Sequence, residues 1–305
     1  MSTYKFYQTD VFTKQPLTGN PLAVFPDALG LSDETMQALA REMNLSETTF
    51  VFPSSQATRQ VRFFTPAAEI PLAGHPTIGT WWILSELGNV QLPEEGTKRV
   101  TQLTGAGVLP VDIHVKDGAP SRVVMVQAPP RFGPVFRDIG QLGEALGGSE
   151  TTVLGDPAPQ VVSTALPQLM VPIRSLGQLQ DLPTGGGGAR LSNLLRQVGT
   201  DCAMCYTLET TDPSSTVHCR MFAPGLGVPE DPATGSAAGA LGSYLVLHGV
   251  VQTHSGVAVV IVEQGIEIGR PSRIEVEISV GESTEINEVR VGGQAVTVIW
   301  GEVKV

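Results

Sequence analysis

Four side chains carry the groups that proton-transfer chemistry requires: Glu47, His75, Asp231 and Ser236. Imidazole titrates near neutrality, so His75 suits either moving a proton or donating one to a bound anion. It stands ahead of Pro76-Thr77-Ile78-Gly79-Thr80, and Asp231 stands ahead of Pro232-Ala233-Thr234-Gly235-Ser236. Matching phrases precede both, Arg62-Phe63-Phe64-Thr65-Pro66 and Arg220-Met221-Phe222-Ala223-Pro224. Aligned by these, His75 falls opposite Asp231, and the expectation is a duplicated half that differs at its polar residue. A helix start exposes unpaired N–H groups at the positive end of its dipole. On that reading Gly79 and Gly235 let a ligand approach the backbone, while Thr80 and Ser236 add hydroxyl donors. Two such starts would hold a carboxylate or a developing enolate. The residues alone leave Asp231 two roles, orienting His75 or capping its own helix. Glu47, in the turn Asn44-Leu45-Ser46-Glu47-Thr48, is one of 30 acidic residues, and spacing does not single it out.

The elements that must position these groups are mostly strands. β-Branched runs bounded by Gly, Pro or Asp recur along the chain, such as Thr49–Phe52, Val61–Thr65, Val217–Phe222 and Val257–Glu263. The clearest surface helix follows Ser32, which can cap it, and ends at Asn44. Ile78–Leu84 and Ala237–Leu247 are apolar on nearly every side, the mark of a helix buried all round. The predicted class is therefore α+β, with two pseudo-equivalent domains that each wrap a barrel-like mixed or antiparallel sheet around a central helix. The expected boundary lies at Lys116-Asp117-Gly118-Ala119-Pro120, giving an N-terminal half 1–118 and a C-terminal half 119–294. The last strand, 295–305, is a candidate to return to the N-terminal half. The glycine run Gly185–Gly188 reads as a mobile loop, because ordering it costs much backbone entropy.

At 305 residues there is material for two cores. The net charge of −11, without a Lys/Arg cluster, argues against nucleic acid and anionic membranes as partners. No apolar run reaches the roughly 18 residues of a membrane helix, and the N-terminus alternates like a strand, so a cytoplasmic protein is expected. Cys202, Cys205 and Cys219 form no disulfide framework, and the C-x-x-C of Cys202 and Cys205 has no second pair and no flanking His to make a zinc or redox site. No dinucleotide or phosphate-loop glycine motif is present, so no cofactor and no metal is called for.

Over almost its whole length the chain resembles the PhzF-like proteins of phenazine biosynthesis. The residues that carry the resemblance are Gly19-Asn20-Pro21-Leu22-Ala23-Val24-Phe25, Leu45-Ser46-Glu47-Thr48 and Glu69-Ile70-Pro71-Leu72-Ala73-Gly74-His75-Pro76-Thr77. Glu230-Asp231-Pro232-Ala233-Thr234-Gly235-Ser236-Ala237 is the most specific, followed by Gln264-Gly265 and Gly269-Arg270-Pro271-Ser272. The resemblance implies a diaminopimelate-epimerase-like fold, an active site in the cleft between domains, a homodimer, and no cofactor. It implies a cofactor-independent isomerase acting on a small carboxylate-bearing substrate, a dihydro-hydroxyanthranilate-like ring being one form. Glu47 would shuttle the proton, while His75, Asp231 and Ser236 would hold and polarise the amino and carboxylate groups of the substrate, helped by backbone N–H groups near Gly74 and Gly235. Related racemases use two thiols, one at each helix start; here those places carry His75 and Asp231. The alternatives are an epimerase, tautomerase or lyase on another amino or hydroxy acid, and a non-catalytic small-molecule binding protein on the same fold.

Overall fold

The protein is described here by a computed structural model covering residues 2–281 and 285–305. The first half runs β1 (Thr3–Val11), β2 (Asn20–Phe25), α1 (Asp33–Met43), β3 (Thr48–Phe52), β4 (Arg59–Phe64), β5 (Glu69–Ile70), α2 (Gly74–Glu86), β6 (Gly96–Thr104), β7 (Gly107–Lys116) and β8 (Ala119–Gln127). The second runs β9 (Arg131–Val135), α3 (Ile139–Ala145), β10 (Gln160–Ser163), β11 (Pro167–Pro172), α4 (Leu176–Gln180), α5 (Ala189–Gln197), β12 (Ala203–Thr207), β13 (Val217–Ala223), β14 (Val228–Asp231) and α6 (Gly235–Leu247). β15 (Val257–Gln264), β16 (Ser272–Val280), β17 (Ile286–Gly293) and β18 (Ala295–Lys304) complete it. The chain forms two units, 1–126 with 292–305, and 127–291. β18 belongs to the first unit and pairs antiparallel with β1 from Thr3 to Val11.

Each unit repeats one topology. In the first, β1 and β2 are antiparallel, β2 and β3 parallel, and β3 and β4 antiparallel. The chain then crosses through α2, so that β4 and β6 are parallel, and returns antiparallel along β7. The second unit matches it step for step. β10–β11 are antiparallel, β11–β12 parallel and β12–β13 antiparallel; β13–β15 are parallel around α6, and β15–β16 antiparallel. The crossover helices are the cores. α2 packs on β1, β2, β3 and β18, and α6 on β10, β11, β15 and β16. Trp81, Ile83, Leu241 and Tyr244 on these helices are almost inaccessible to solvent, which is why neither helix has a polar face.

The matched topology corrects the register of the duplication. α2 and α6 are each 13 residues long, starting at Gly74 and Gly235. Thr77 N–H donates to Ala73 O as Ala238 N–H donates to Thr234 O, and the helix ends match likewise. Phe63 faces Ile70 across β4–β5 as Met221 faces Asp231 across β13–β14. Hence Glu69-Ile70-Pro71-Leu72-Ala73-Gly74-His75 lies over Glu230-Asp231-Pro232-Ala233-Thr234-Gly235-Ser236. His75 corresponds to Ser236, not to Asp231, and Asp231 corresponds to Ile70. The cause is an insertion. Arg62 and Glu69 are 7 residues apart, whereas Arg220 and Glu230 are 10 apart. The 3-residue 3-10 turn Pro224–Leu226 takes up the difference.

The arginine of each phrase has the same task in both units. Arg62 forks onto Glu69 at 2.7 Å, and Arg220 forks onto Glu230 at 2.7–2.8 Å. Each guanidinium also lies about 5 Å over a ring, Phe64 or Phe222. These clamps hold the loop that leads into each central helix. The glycine run also differs from expectation. Gly185 to Gly188 all have positive φ, and Gly186 packs on Phe222 and Leu191. All four positions have a backbone shape that favours glycine, and at Gly186 and Gly187 neighbouring atoms also fill the space a side chain would need, whereas Gly188 has open space around it.

Candidate active site

Glu47 lies between a helix stop and a strand start. α1 ends at Asn44, whose left-handed backbone turns the chain, and β3 begins one residue later than Glu47, at Thr48. Thr48 is fully buried between Ala23 of β2 and Phe64 of β4, which fixes the backbone on which Glu47 stands. His75 is the second residue of α2. Its Nε2 lies 3.4 Å from Glu47 Oε2, and both atoms are shielded from water. Burial pushes the His75 pKa down to about 3, so the imidazole is neutral at physiological pH. A carboxyl group against a neutral imidazole, both out of water, is suited to accept a carbon-bound proton and return it.

The start of α2 offers backbone as well. Ala73, at the N-cap, has no side chain able to cap, and Pro76 has no N–H, so Gly74 and His75 supply the first-turn donors. Beneath them Thr77 Oγ donates to Ala73 O at 2.9 Å and accepts from Gln102 Nε2 at 3.1 Å. Trp81 Nε1 donates to the Gln102 oxygen, so a buried chain of hydrogen bonds anchors the turn. Gly79 and Thr80 do not serve as predicted. A Cβ on Gly79 would lie 2.7–2.9 Å from side chains of Leu22, Val11 and Thr9, so that glycine seats the helix on the sheet. Thr80 is fully buried and shares a 2.8 Å hydrogen bond with Thr49.

In the second unit Asp231, Gly235 and Ser236 stand together around the start of α6. Asp231 ends β14 and accepts a very short hydrogen bond from the Thr234 hydroxyl, the residue at the N-cap. Thr234 itself makes no side-chain cap bond; its oxygen is engaged with Asp231 and with Gln264 Nε2. Gln264 Nε2 also donates to Asp231 O at 2.7 Å. Ser272 Oγ donates to Pro232 O at 3.1 Å. A Cβ on Gly265 would meet Pro232 O and Arg270 O at 2.5 Å. The Gln264-Gly265 and Arg270-Pro271-Ser272 phrases are thus the bed on which the Asp231 loop rests. That bed is tied down by His218, fully buried with Glu263 at 2.7 Å from Nδ1 and Glu267 at 2.7 Å from Nε2. Burial disfavours its charge, but the two carboxylates win and raise its pKa to about 9.

Sequence reasoning missed the polar side chains under α6. Gln127 Nε2 donates to Gly235 O at 3.0 Å, Thr164 Oγ donates to Gln127 Oε1 at 2.7 Å and lies 3.2 Å from Ser236 O, and Gln168 Nε2 donates to Ser236 Oγ at 3.2 Å. The one signal for Gln127 and Gln168 was a glutamine at the end or start of an apolar strand. Cys202 directly precedes β12 as Glu47 directly precedes β3. Burial pushes its thiol up to about 12, so it is no base. Among the described residues no cluster of His, Cys, Asp and Glu is disposed to hold a metal ion, and no helix is long and apolar enough to cross a membrane.

Comparison with known proteins shows the family. The model of the phenazine biosynthesis-like protein family matches residues 9–301. An uncharacterized isomerase of Clostridium acetobutylicum is 38% identical over 304 residues, covering 98% of this chain and 97% of that protein. A trans-2,3-dihydro-3-hydroxyanthranilate isomerase of Pseudomonas chlororaphis is 34% identical, covering 94% and 95%. The crystal structure of a PhzF-family phenazine biosynthesis protein from Bacillus anthracis superposes with a TM-score of 0.91 at 30% identity, covering 100% of both chains. This chain belongs to the phenazine biosynthesis-like (PhzF) family and is an isomerase.

Proposed function

We infer that this isomerase moves a proton on a small carboxylate-bearing substrate without a cofactor, with Glu47 as the group that takes the proton and gives it back. The observation that carries this reading is the 3.4 Å approach of Glu47 to a buried, neutral His75. His75 donates to the substrate or steadies the developing charge, which a neutral imidazole does without having to lose a proton of its own first. In the first unit the Gly74 N–H, and in the second the Gly235 N–H and the Ser236 hydroxyl, are suited to a substrate carboxylate, and Asp231 is suited to an amino or hydroxyl donor.

Two relatives that carry the name trans-2,3-dihydro-3-hydroxyanthranilate isomerase are 34% and 35% identical to this chain, and that compound is the substrate we put forward. Its carboxylate, amine and transferable ring proton each answer to one of the groups above. Incubation of the enzyme with it in deuterated water, followed by proton NMR, tests the assignment. Ring isomerisation with deuterium uptake is the expected result. Absence of turnover on this compound, with turnover on another amino or hydroxy acid, would replace the substrate and favour the epimerase reading.

A further inference from the structure

Ser236 Oγ receives an N–H from Gln168 at 3.2 Å, and that contact decides where the hydroxyl proton goes. We propose that Gln168 is a positioning residue: its amide N–H fills one lone pair of Ser236 and leaves the Ser236 O–H to donate to a carboxylate on the substrate. This rests on the assignment of Ser236 to substrate binding made above.

A serine hydroxyl has one proton and two lone pairs. Among the described residues, Gln168 is the one partner recorded for Ser236 Oγ, so the proton is not spent inside the protein. Gln168 sits on β11 opposite Val162 and is 1% exposed. Its other amide atom, Oε1, is buried and has no hydrogen-bond partner among the described residues. A buried acceptor without a donor destabilises a fold, and a methionine of similar length would fill the same space without that cost. Packing therefore does not account for a glutamine here, whereas an N–H aimed at Ser236 does. The surrounding network leaves Gln168 this single task. Gln127, itself held by the Thr164 hydroxyl, already holds the carbonyl of Gly235, so the helix start is fixed by other groups. The corrected register adds a parallel: His75 and Ser236 hold matched places, one beside the Glu47 carboxyl and the other beside the Gln168 amide. Were the amide reversed, Ser236 would donate to Oε1 and present lone pairs that repel a carboxylate.

Calorimetric titration with 2-aminobenzoate as a carboxylate probe tests this on wild type, Ser236→Ala, Gln168→Met, their double variant and Gln168→Glu, with the melting temperature of each free protein. The expected result is a loss of affinity of about tenfold in Ser236→Ala and a smaller loss in Gln168→Met, with the double variant no weaker than Ser236→Ala, because Gln168 acts only through the Ser236 hydroxyl. Gln168→Met should melt at or above wild type, having lost the orphan oxygen. Gln168→Glu keeps the side-chain shape, takes the Ser236 proton for itself, and should bind more weakly than Gln168→Met; it carries the test if methionine disturbs folding. Wild-type affinity in both Gln168 variants, with Ser236→Ala weakened, would overturn the proposal and leave Ser236 in the site. Additive losses in the double variant would also overturn it, since Gln168 would then act independently. Unchanged affinity in Ser236→Ala, or no probe binding to wild type at millimolar concentration, would remove Ser236 from carboxylate binding and the proposal with it.

Discussion

Glu47 and His75 are the two residues on which the proposed chemistry turns, and their environments differ in kind. His75 is held neutral by burial, down to about pH 3. Replacing Glu47 by glutamine keeps the shape and removes the proton acceptor, so turnover should fall by roughly 10²–10⁴-fold while the fold persists. Parallel rate and circular dichroism measurements would check this. His75→Ala leaves the Glu47 side chain without its neighbour. If His75 donates one charge-assisted hydrogen bond to substrate, the variant should lose roughly 1.5–3 kcal/mol of transition-state stabilisation, read as a fall in kcat/KM. Composition alone hid Glu47 among 30 acids; the family resemblance raised it, and the geometry puts it against the imidazole.

The elements show why part of the site was legible and part was not. The buried helices were readable because α2 and α6 lack polar faces, and α1 was readable from its caps, Ser32 and Asn44. The register of the duplication was not, because a 3-residue turn sits between Arg220 and Glu230, and short insertions leave no mark on periodicity. Gly79 and Thr80 were misjudged for a related reason: a glycine needed for helix–sheet packing looks the same in sequence as one needed by a ligand. The two arginine clamps should also differ in value. Arg220 is 1% exposed and its pair with Glu230 is buried, so Glu230→Gln should cost about 3–5 kcal/mol by stranding a charge. Glu69 is 42% exposed in its pair with Arg62, so Glu69→Gln should cost about 1 kcal/mol or less. Urea denaturation of both variants measures the contrast; equal costs would show that the clamps are equivalent.

For the molecule as a whole, two histidines set opposite limbs of the pH–stability profile. The folded pKa of His218, about 9, lies above its ordinary 6.5, so its contribution is complete below pH 6.5 and is lost as pH rises through 9. That of His75, about 3, lies below 6.5, so protons favour the unfolded chain as pH falls from 6.5 towards 3. Stability should therefore peak near pH 6.5, and His218→Gln should flatten the alkaline limb of denaturation midpoints measured across pH. Glu263, held near 2 against burial by His218 and by the N–H groups of Thr211 and Asp212, adds stability above pH 4.5 that is lost as pH falls through 2. The most direct measurement is the rate of solvent-deuterium uptake by trans-2,3-dihydro-3-hydroxyanthranilate in wild type and in folded Glu47→Gln, read by proton NMR. Uptake in wild type that falls at least about 100-fold in the variant is the predicted result. Equal uptake in the two proteins would contradict the role of Glu47.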